Sequence, residues 1–461
     1  MKKTNIDHLN SHGTQLSRRQ FVGLGLVGAS STLLAPSFFS MLSSSAFAGQ
    51  DPLNPIAYLG FDLAGGAAMP GNFLVGGAGG PEDLLKSYDL IGWNPRVNGY
   101  DDRFGLPMPK ANIGKIFEGL TTTMSEGAQK NFRMGSFSHV SRDDTSDNPL
   151  SIIELLSSMN NMGGSKSQKG LGMTSAASGG NSRGVKSISQ YSPTKILSVQ
   201  DITNITKLSV ALEPVPGSLK SRMFKTMQNI SNSQSKRLFG LDAMPDAMNS
   251  SFTGLEQLVG GTFALDPRQI ADIQTIYGIN ANTQVTNVTA TRAGIVNCVL
   301  ARATGPGVIT IGGCDYHDGT QTTGDAKDLE IGREIGRAIE LAHQRKVPLF
   351  IHIYSDGGVG ARQGSRMWGS DSGEQSLTVI GYYDPKGVPS YSRKDIIQIG
   401  HYTAGQGADR ETLIGGNPAL VSYAVLANYM NLMGNLDQFN TYAPSPFSEA
   451  ELNSILIFGK S

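Results

Sequence analysis

Between Arg292 and Tyr354 the chain reads as helix, strand, helix and strand in succession, and this alternation limits the fold more than any other stretch. Arg292 to Ala301 reads as helix and Val308 to Ile311 is a short β-branched run. Asp325 to His343 then places Leu329, Ile335, Ala338, Ile339 and Ala342 on one helical face, and it starts at an Asp suited to an N-cap. Pro348 to Tyr354 is again apolar throughout. Strands with no polar face are buried on both sides, and helices of this length between them make parallel crossovers. The expected fold class is α/β, with a largely parallel central sheet covered by helices on both faces.

The remaining elements fit that plan. Ile56 to Phe61 reads as a central strand running into the turn Asp62-Leu63-Ala64-Gly65-Gly66. Phe132 to Phe137 and Leu377 to Tyr383 are further strands, and Asn417-Pro418 opens an apolar helix to Met433, with proline at its first position. Ile113 to Leu120, Thr123 to Asn131 and Leu150 to Met159 read as short helices. Residues 157–193 shift to Ser, Gly, Asn and Lys, a composition that buries too little apolar surface to offset its conformational entropy, and a mobile loop is expected there. Residues 218–280 carry Leu255, Leu258 and Val259, then Ile270, Ile273 and Ile276, at helical spacing, which suggests a helical insertion or cap.

The first 48 residues read as an address. Ser17-Arg18-Arg19-Gln20-Phe21-Val22 precedes an uncharged, moderately apolar run that ends in Ala46-Phe47-Ala48, the pattern of a twin-arginine export signal cut after Ala48. Cleavage leaves residues 49–461, with 34 basic and 37 acidic side chains and a formal charge of −3. That balance argues against nucleic acid and against a membrane surface, which need a basic excess or stripe. Nothing after Ala48 is long and apolar enough to cross a bilayer, so a protein of the periplasm or the cell exterior is expected. Twin-arginine export carries folded chains, which suits a metalloprotein loaded before export. Cys298 and Cys314 are the only cysteines, and a disulfide and a buried free pair are both open.

Polar chemistry gathers where these strands end. Asp62, then Asp315 with His317, then Asp356 each follow an apolar strand, and Asp371 lies in Gly369-Ser370-Asp371-Ser372-Gly373. Were those strands neighbours and parallel, the turns would meet at one sheet edge, where α/β proteins bind ligands. Converging carboxylates repel one another unless a cation holds them, so Asp62, Asp315, His317, Asp356 and Asp371 are candidate metal ligands. Asp315 and His317 are two apart and face one side of an extended segment. Oxygen ligands with a histidine suit zinc, magnesium, manganese or calcium. Each Asp-Gly is equally a turn former. Ser138, His139, Ser141, Asp143, Asp144 and Thr145 offer hydroxyls for a nucleophile at a metal; Asp147 or Asn148 before Pro149 also fits a helix cap, and both readings stand. His352 reads as a core residue, His343 as a helix-end residue, and His401 as a possible late ligand.

In these motifs the chain resembles a family of twin-arginine-exported bacterial proteins of unknown function, grouped with the alkaline-phosphatase and sulfatase-like folds. The carriers are Phe61-Asp62-Leu63-Ala64-Gly65-Gly66, Phe137-Ser138-His139, Gly313-Cys314-Asp315-Tyr316-His317-Asp318-Gly319, Tyr354-Ser355-Asp356-Gly357-Gly358 and Gly369-Ser370-Asp371-Ser372-Gly373. The resemblance implies a three-layer αβα architecture and two metal ions held by Asp and His, with Ser138 near the nucleophile. Two imidazoles of the pattern are absent: Ser372 follows Asp371 and Gly357 follows Asp356. Neither cysteine carries the x-Pro-x-Arg signature of a sulfatase nucleophile. Two functions are expected on this basis. One is a metal-dependent hydrolase of phosphate or sulfate esters. The other is a non-catalytic binding or structural protein on a degenerate hydrolase scaffold, with a protein or glycan partner.

Overall fold

Side chains along the middle strands alternate between two cores, and this sets the layering. The computed structural model describes residues 56–85, 88–142, 147–159, 169–205, 265–301, 304–315, 321–361, 367–393, 396–443 and 446–460, with a few positions between 222 and 229. Its strands are β1 (Ala57–Leu63), β2 (Tyr100–Asp101), β3 (Met108–Pro109), β4 (Phe132–His139), β5 (Leu171–Gly172), β6 (Thr194–Lys195), β7 (Gly307–Ile311), β8 (Leu349–Ser355), β9 (Val359–Ala361), β10 (Trp368–Asp371), β11 (Ser376–Tyr383) and β12 (Gln398–Ile399). Eight of them form one sheet in the order β12-β4-β11-β8-β1-β7-β5-β6. All its pairings are parallel except those of β11, which runs against both β4 and β8.

Leu59, Phe61 and Leu63 of β1 share one core with Leu349, Ile351 and Ile353 of β8. Tyr58 shares the other with Phe350, Tyr354, Ile380 and Tyr382. The first core is closed by Ile116 and Leu120 of the Lys115–Thr123 helix, Ile295 and Val299 of Val288–Leu300, and Ile335 and Ile339 of Gln321–Arg345. The second is closed by Leu155 of Ile153–Ser158 and by Val421, Val425 and Met430 of Pro418–Leu432. The fold is therefore α/β with a mostly parallel eight-stranded sheet and helices on both faces.

Element ends depart from the sequence pattern where a local cap decides them. Asn287 accepts from the amide of Ala290 and starts its helix four residues before Arg292. Asn417 caps Pro418–Leu432 through the amide of Ala419, with proline at the first position as the pattern requires. The long helix begins at Gln321, which places Asp325 inside it. Ile153–Ser158 begins three residues later than its apolar run, with no side-chain cap, so neither Asp147 nor Asn148 caps it.

Residues 169–193 are the described part of the stretch expected to be a mobile loop. They supply β5 and part of the sheet edge, and they bury Ser178 and Ser182 through polar contacts where apolar ones are missing. Residues 160–168 lie outside the described part. The proposed insertion at 218–280 lies mostly outside it as well, including Leu255, Leu258 and Val259. Its last residues form the Ala271–Tyr277 helix, in which Ile273 and Tyr277 are buried. Cys298 and Cys314 are buried and free, so the disulfide alternative falls away. Among the described residues no helix is long and apolar enough to cross a membrane.

The long helix meets Lys115–Thr123 backbone to backbone, and glycines make that possible. A Cβ on Gly332 would lie 2.2 Å from the carbonyl oxygen of Ile116, and one on Gly336 would lie 2.0 Å from Oγ1 of Thr123. Gly332→Ala must push the two helices apart. It should lower unfolding free energy by about 1–3 kcal/mol, the usual cost of overpacking, as a lower denaturant midpoint with an unchanged slope.

Candidate functional site

Parallel register assembles the site. Leu63 lies opposite Ile311 on one side and Ser355 on the other, so the turns after β1, β7 and β8 leave the sheet side by side. They are tied together at once. Ser355 Oγ donates to the carbonyl of Leu63 at 2.7 Å and accepts from the amide of Ala67 at 2.8 Å. The amide of Cys314 donates to the carbonyl of Ala64 at 3.0 Å. Gly65, at φ +112°, passes between two acids: its amide donates to Asp356 Oδ1 at 2.9 Å, and a Cβ there would lie 2.6 Å from Asp315 Cβ. A glycine is needed for both the left-handed backbone and the close approach.

Asp62 is fully buried near the end of β1, with Thr310 and Tyr354 as its register neighbours. It lies between Phe61 and Leu63 in sequence and so faces the second core. Its Oδ2 accepts from the amides of Asn181 and of Ser182, the latter at 2.8 Å, and its Oδ1 accepts from Ser182 Oγ at 3.1 Å. Burial pushes its pKa up to about 7; the Ser182 amide opposes that rise and the charge of Asp356 adds to it.

Asp356 is the second buried acid. Beyond the Gly65 amide on Oδ1, its Oδ2 accepts from the side-chain amide of Asn181. Burial raises its pKa too, against the amide donors around it. Its carbonyl accepts from Asn148 Nδ2, and Asn148 Oδ1 in turn accepts from the amide of Arg142 at 2.7 Å. Asn148 is thus a brace between two loops. The segment carrying Asn181 is fixed from the same side, by the amide of Arg183 on the carbonyl of Asn148 and that of Ser151 on the carbonyl of Arg183, both at 3.0 Å.

The structure brings Asp62, Asp356 and Asp315 to one edge. Asp315 is exposed beside Gly65. Asp371 ends β10 with its backbone opposite Val359, and the following amide, of Ser372, donates to the carbonyl of Gly358 at 2.8 Å. His317, Asp143, Asp144 and Thr145 lie outside the described residues. Ser138 is not brought to the acids. It sits on β4, three strand spacings or about 14 Å from β1. Phe137 beside it packs in the second core, so Ser138 faces the first, opposite to Asp62. Its hydroxyl is buried without a protein partner.

The histidines among the described residues have structural surroundings. His352 Nδ1 meets Tyr58 Oη at 2.8 Å, and burial lowers its pKa to about 3. His139 lies between Thr378 Oγ1 at 2.9 Å and the carbonyl of Val140 at 2.8 Å, and burial lowers it to about 4. His343 meets Tyr383 Oη at 2.9 Å, and His401 pairs with Asp409 at 3.1 Å. Among the described residues no three His, Cys, Asp or Glu side chains stand together as a metal site. The surroundings of Asp62 and Asp356 do not fit a cation between them, because the amide hydrogens of Asn181 and Ser182 point at the oxygens it would need.

Sequence reasoning missed Asn181, Ser182 and Asn148. The first two sit in a Gly-Gly-Asn-Ser run that composition marks as loop, and Asn148 before Pro149 has the look of a cap.

Asp62→Asn should fold with its contacts kept. The amide oxygen can take the two backbone amides, and Nδ2 can donate to Ser182 Oγ. Asp62→Ala leaves three donors unanswered, two of them on buried Ser182, and should cost about 2–4 kcal/mol in denaturant unfolding. The wild-type group binds its proton more tightly folded, at about 7, than at the ordinary 3.8. Its contribution to stability is therefore full below that lower value and lost as pH rises through 7. The stability of Asp62→Asn relative to wild type should grow as pH rises from 3.8 to about 7 and level off above that.

No family model, no curated protein sequence and no solved structure matches the chain.

Proposed function

We propose that this chain is an exported, non-catalytic binding protein built on an alkaline-phosphatase-like scaffold, with a protein or glycan as its partner. One observation carries the reading: all four carboxylate oxygens of Asp62 and Asp356 accept hydrogen bonds from the protein's own groups. In a metal-dependent hydrolase those oxygens hold the ion that polarises the ester and activates a hydroxyl. Here three of them hold the Asn181–Ser182 loop and the fourth holds the Gly65 turn. The position of Ser138 supports the same reading, since a nucleophile must approach within about 3–3.5 Å of the reacting atom. Ser138 is three strands from Asp62 and faces the other core. Export rests on the Arg18-Arg19 motif, the uncharged run after it and the Ala46-Phe47-Ala48 ending, which together suit delivery to the periplasm or beyond.

The purified chain, supplied in turn with zinc, magnesium, manganese and calcium, should hydrolyse neither p-nitrophenyl phosphate nor p-nitrophenyl sulfate above background. It should also carry no stoichiometric metal by elemental analysis. Turnover that needs a divalent ion and disappears in Asp315→Ala would establish the hydrolase instead. Export has its own check. Changing Arg18 and Arg19 together to Lys should leave uncleaved precursor in the cytoplasm on cell fractionation.

A further inference from the structure

We infer that the segment Ser178–Ser182 takes the place of a cation, with the side-chain amide of Asn181 and the backbone amides of 181 and 182 as the positive charge between Asp62 and Asp356. Two buried carboxylates at one sheet edge repel each other, and a cation or a set of aimed hydrogen-bond donors relieves that repulsion. Asn181 supplies it to both, through its backbone amide to Asp62 Oδ2 and through Nδ2 to Asp356 Oδ2. Ser182 adds a second amide and a hydroxyl to Asp62. Successive amides converging on an anion in this way provide the partial charges that an ion otherwise provides.

The segment is shaped for that position. Gly180 lies against Asp62 so closely that a Cβ would stand 2.3 Å from Oδ2, and only a residue without one lets the next two amides reach the carboxylate. Its far side is held too. Thr174 Oγ1 donates to the carbonyl of Gly180 at 2.9 Å and Ser178 Oγ donates to it at 3.3 Å. Gly179, at φ +72°, turns the chain in front of it and packs on Gly172 of β5. The amides are thus pre-aimed by the sheet edge.

A position that suits the positive end of an amide suits a cation once the amide is replaced by a ligand. Asn181→Asp replaces the shared donor with a third carboxylate between Asp62 and Asp356. In chelator this variant should melt about 5 °C or more below wild type. Millimolar calcium, magnesium, manganese or zinc should restore that loss, with one ion bound per chain by calorimetry. Asn181→Ala, which removes the donor and adds no charge, should melt low and ignore the ions. If Asn181→Asp does not fold alone, the exchange Asn181→Asp with Asp356→Asn restores two carboxylates and one amide, and should fold without any ion.

Two results would overturn the inference. One is stabilisation of the wild-type chain by the same ions, abolished by Asp356→Asn, which would make the cation the native occupant. The other is an Asn181→Asp variant, or its exchange partner, that behaves as Asn181→Ala does. The inference shares its carboxylates with the binding-protein reading, but the tests separate: ester turnover by wild type would end that reading, and the ion response of Asn181→Asp decides this one.

Discussion

The parallel register of β1 with β7 and β8 is the constraint on which everything at the candidate site depends. Leu63 stands level with Ile311 and Ser355, so the three turns that follow must share one small volume. Ser355 Oγ and the Cys314 amide lock that arrangement within the first residues beyond the strands. A one-residue slip would move Asp62 from the second core to the first, because side chains alternate along a strand.

Packing the turns together creates an electrostatic problem, and the fold answers it with amides. Asp62 is fully buried and Asp356 is buried beside it, and each sees its pKa rise because water is excluded. Backbone and side-chain N–H groups from a segment far away in sequence meet the oxygens of both. Neutral donors in fixed positions stabilise a buried acid without bringing a full charge that must itself be desolvated. That segment has almost no apolar surface to contribute, so its place in the fold comes from these contacts and from Asn148 and Ser151 behind it. The polar loop and the buried acids each supply what the other lacks.

On the first-core face a different device works at the level of volume. Gly332 and Gly336 on the long helix meet Ile116 and Thr123 at distances that exclude any side chain. The close crossing brings the apolar rows of both helices down onto the sheet together. The same core holds Leu59 of β1, Ile309 of β7 and Ile351 of β8.

How much of this was legible in the chain depends on the range of the interaction. Local periodicity settled the α/β class, the central strands, and the capped helix at Asn417-Pro418, because burial pattern and capping act over a few residues. The acids at strand ends were visible for the same reason. Whether they meet an ion or an amide was not, since Asn181 lies 119 residues from Asp62 and 175 from Asp356. Composition marked its surroundings as loop, and composition counts apolar surface while ignoring hydrogen bonds to distant partners. Nor could sequence show that β11 and β8 lie between β4 and β1, which sets Ser138 three strands from Asp62. Which segments are buried, and where the charges sit along them, could be read from neighbouring residues alone. Which charges face each other and what neutralises them could not, because strand order, register and contacts between residues more than a hundred positions apart set those pairings.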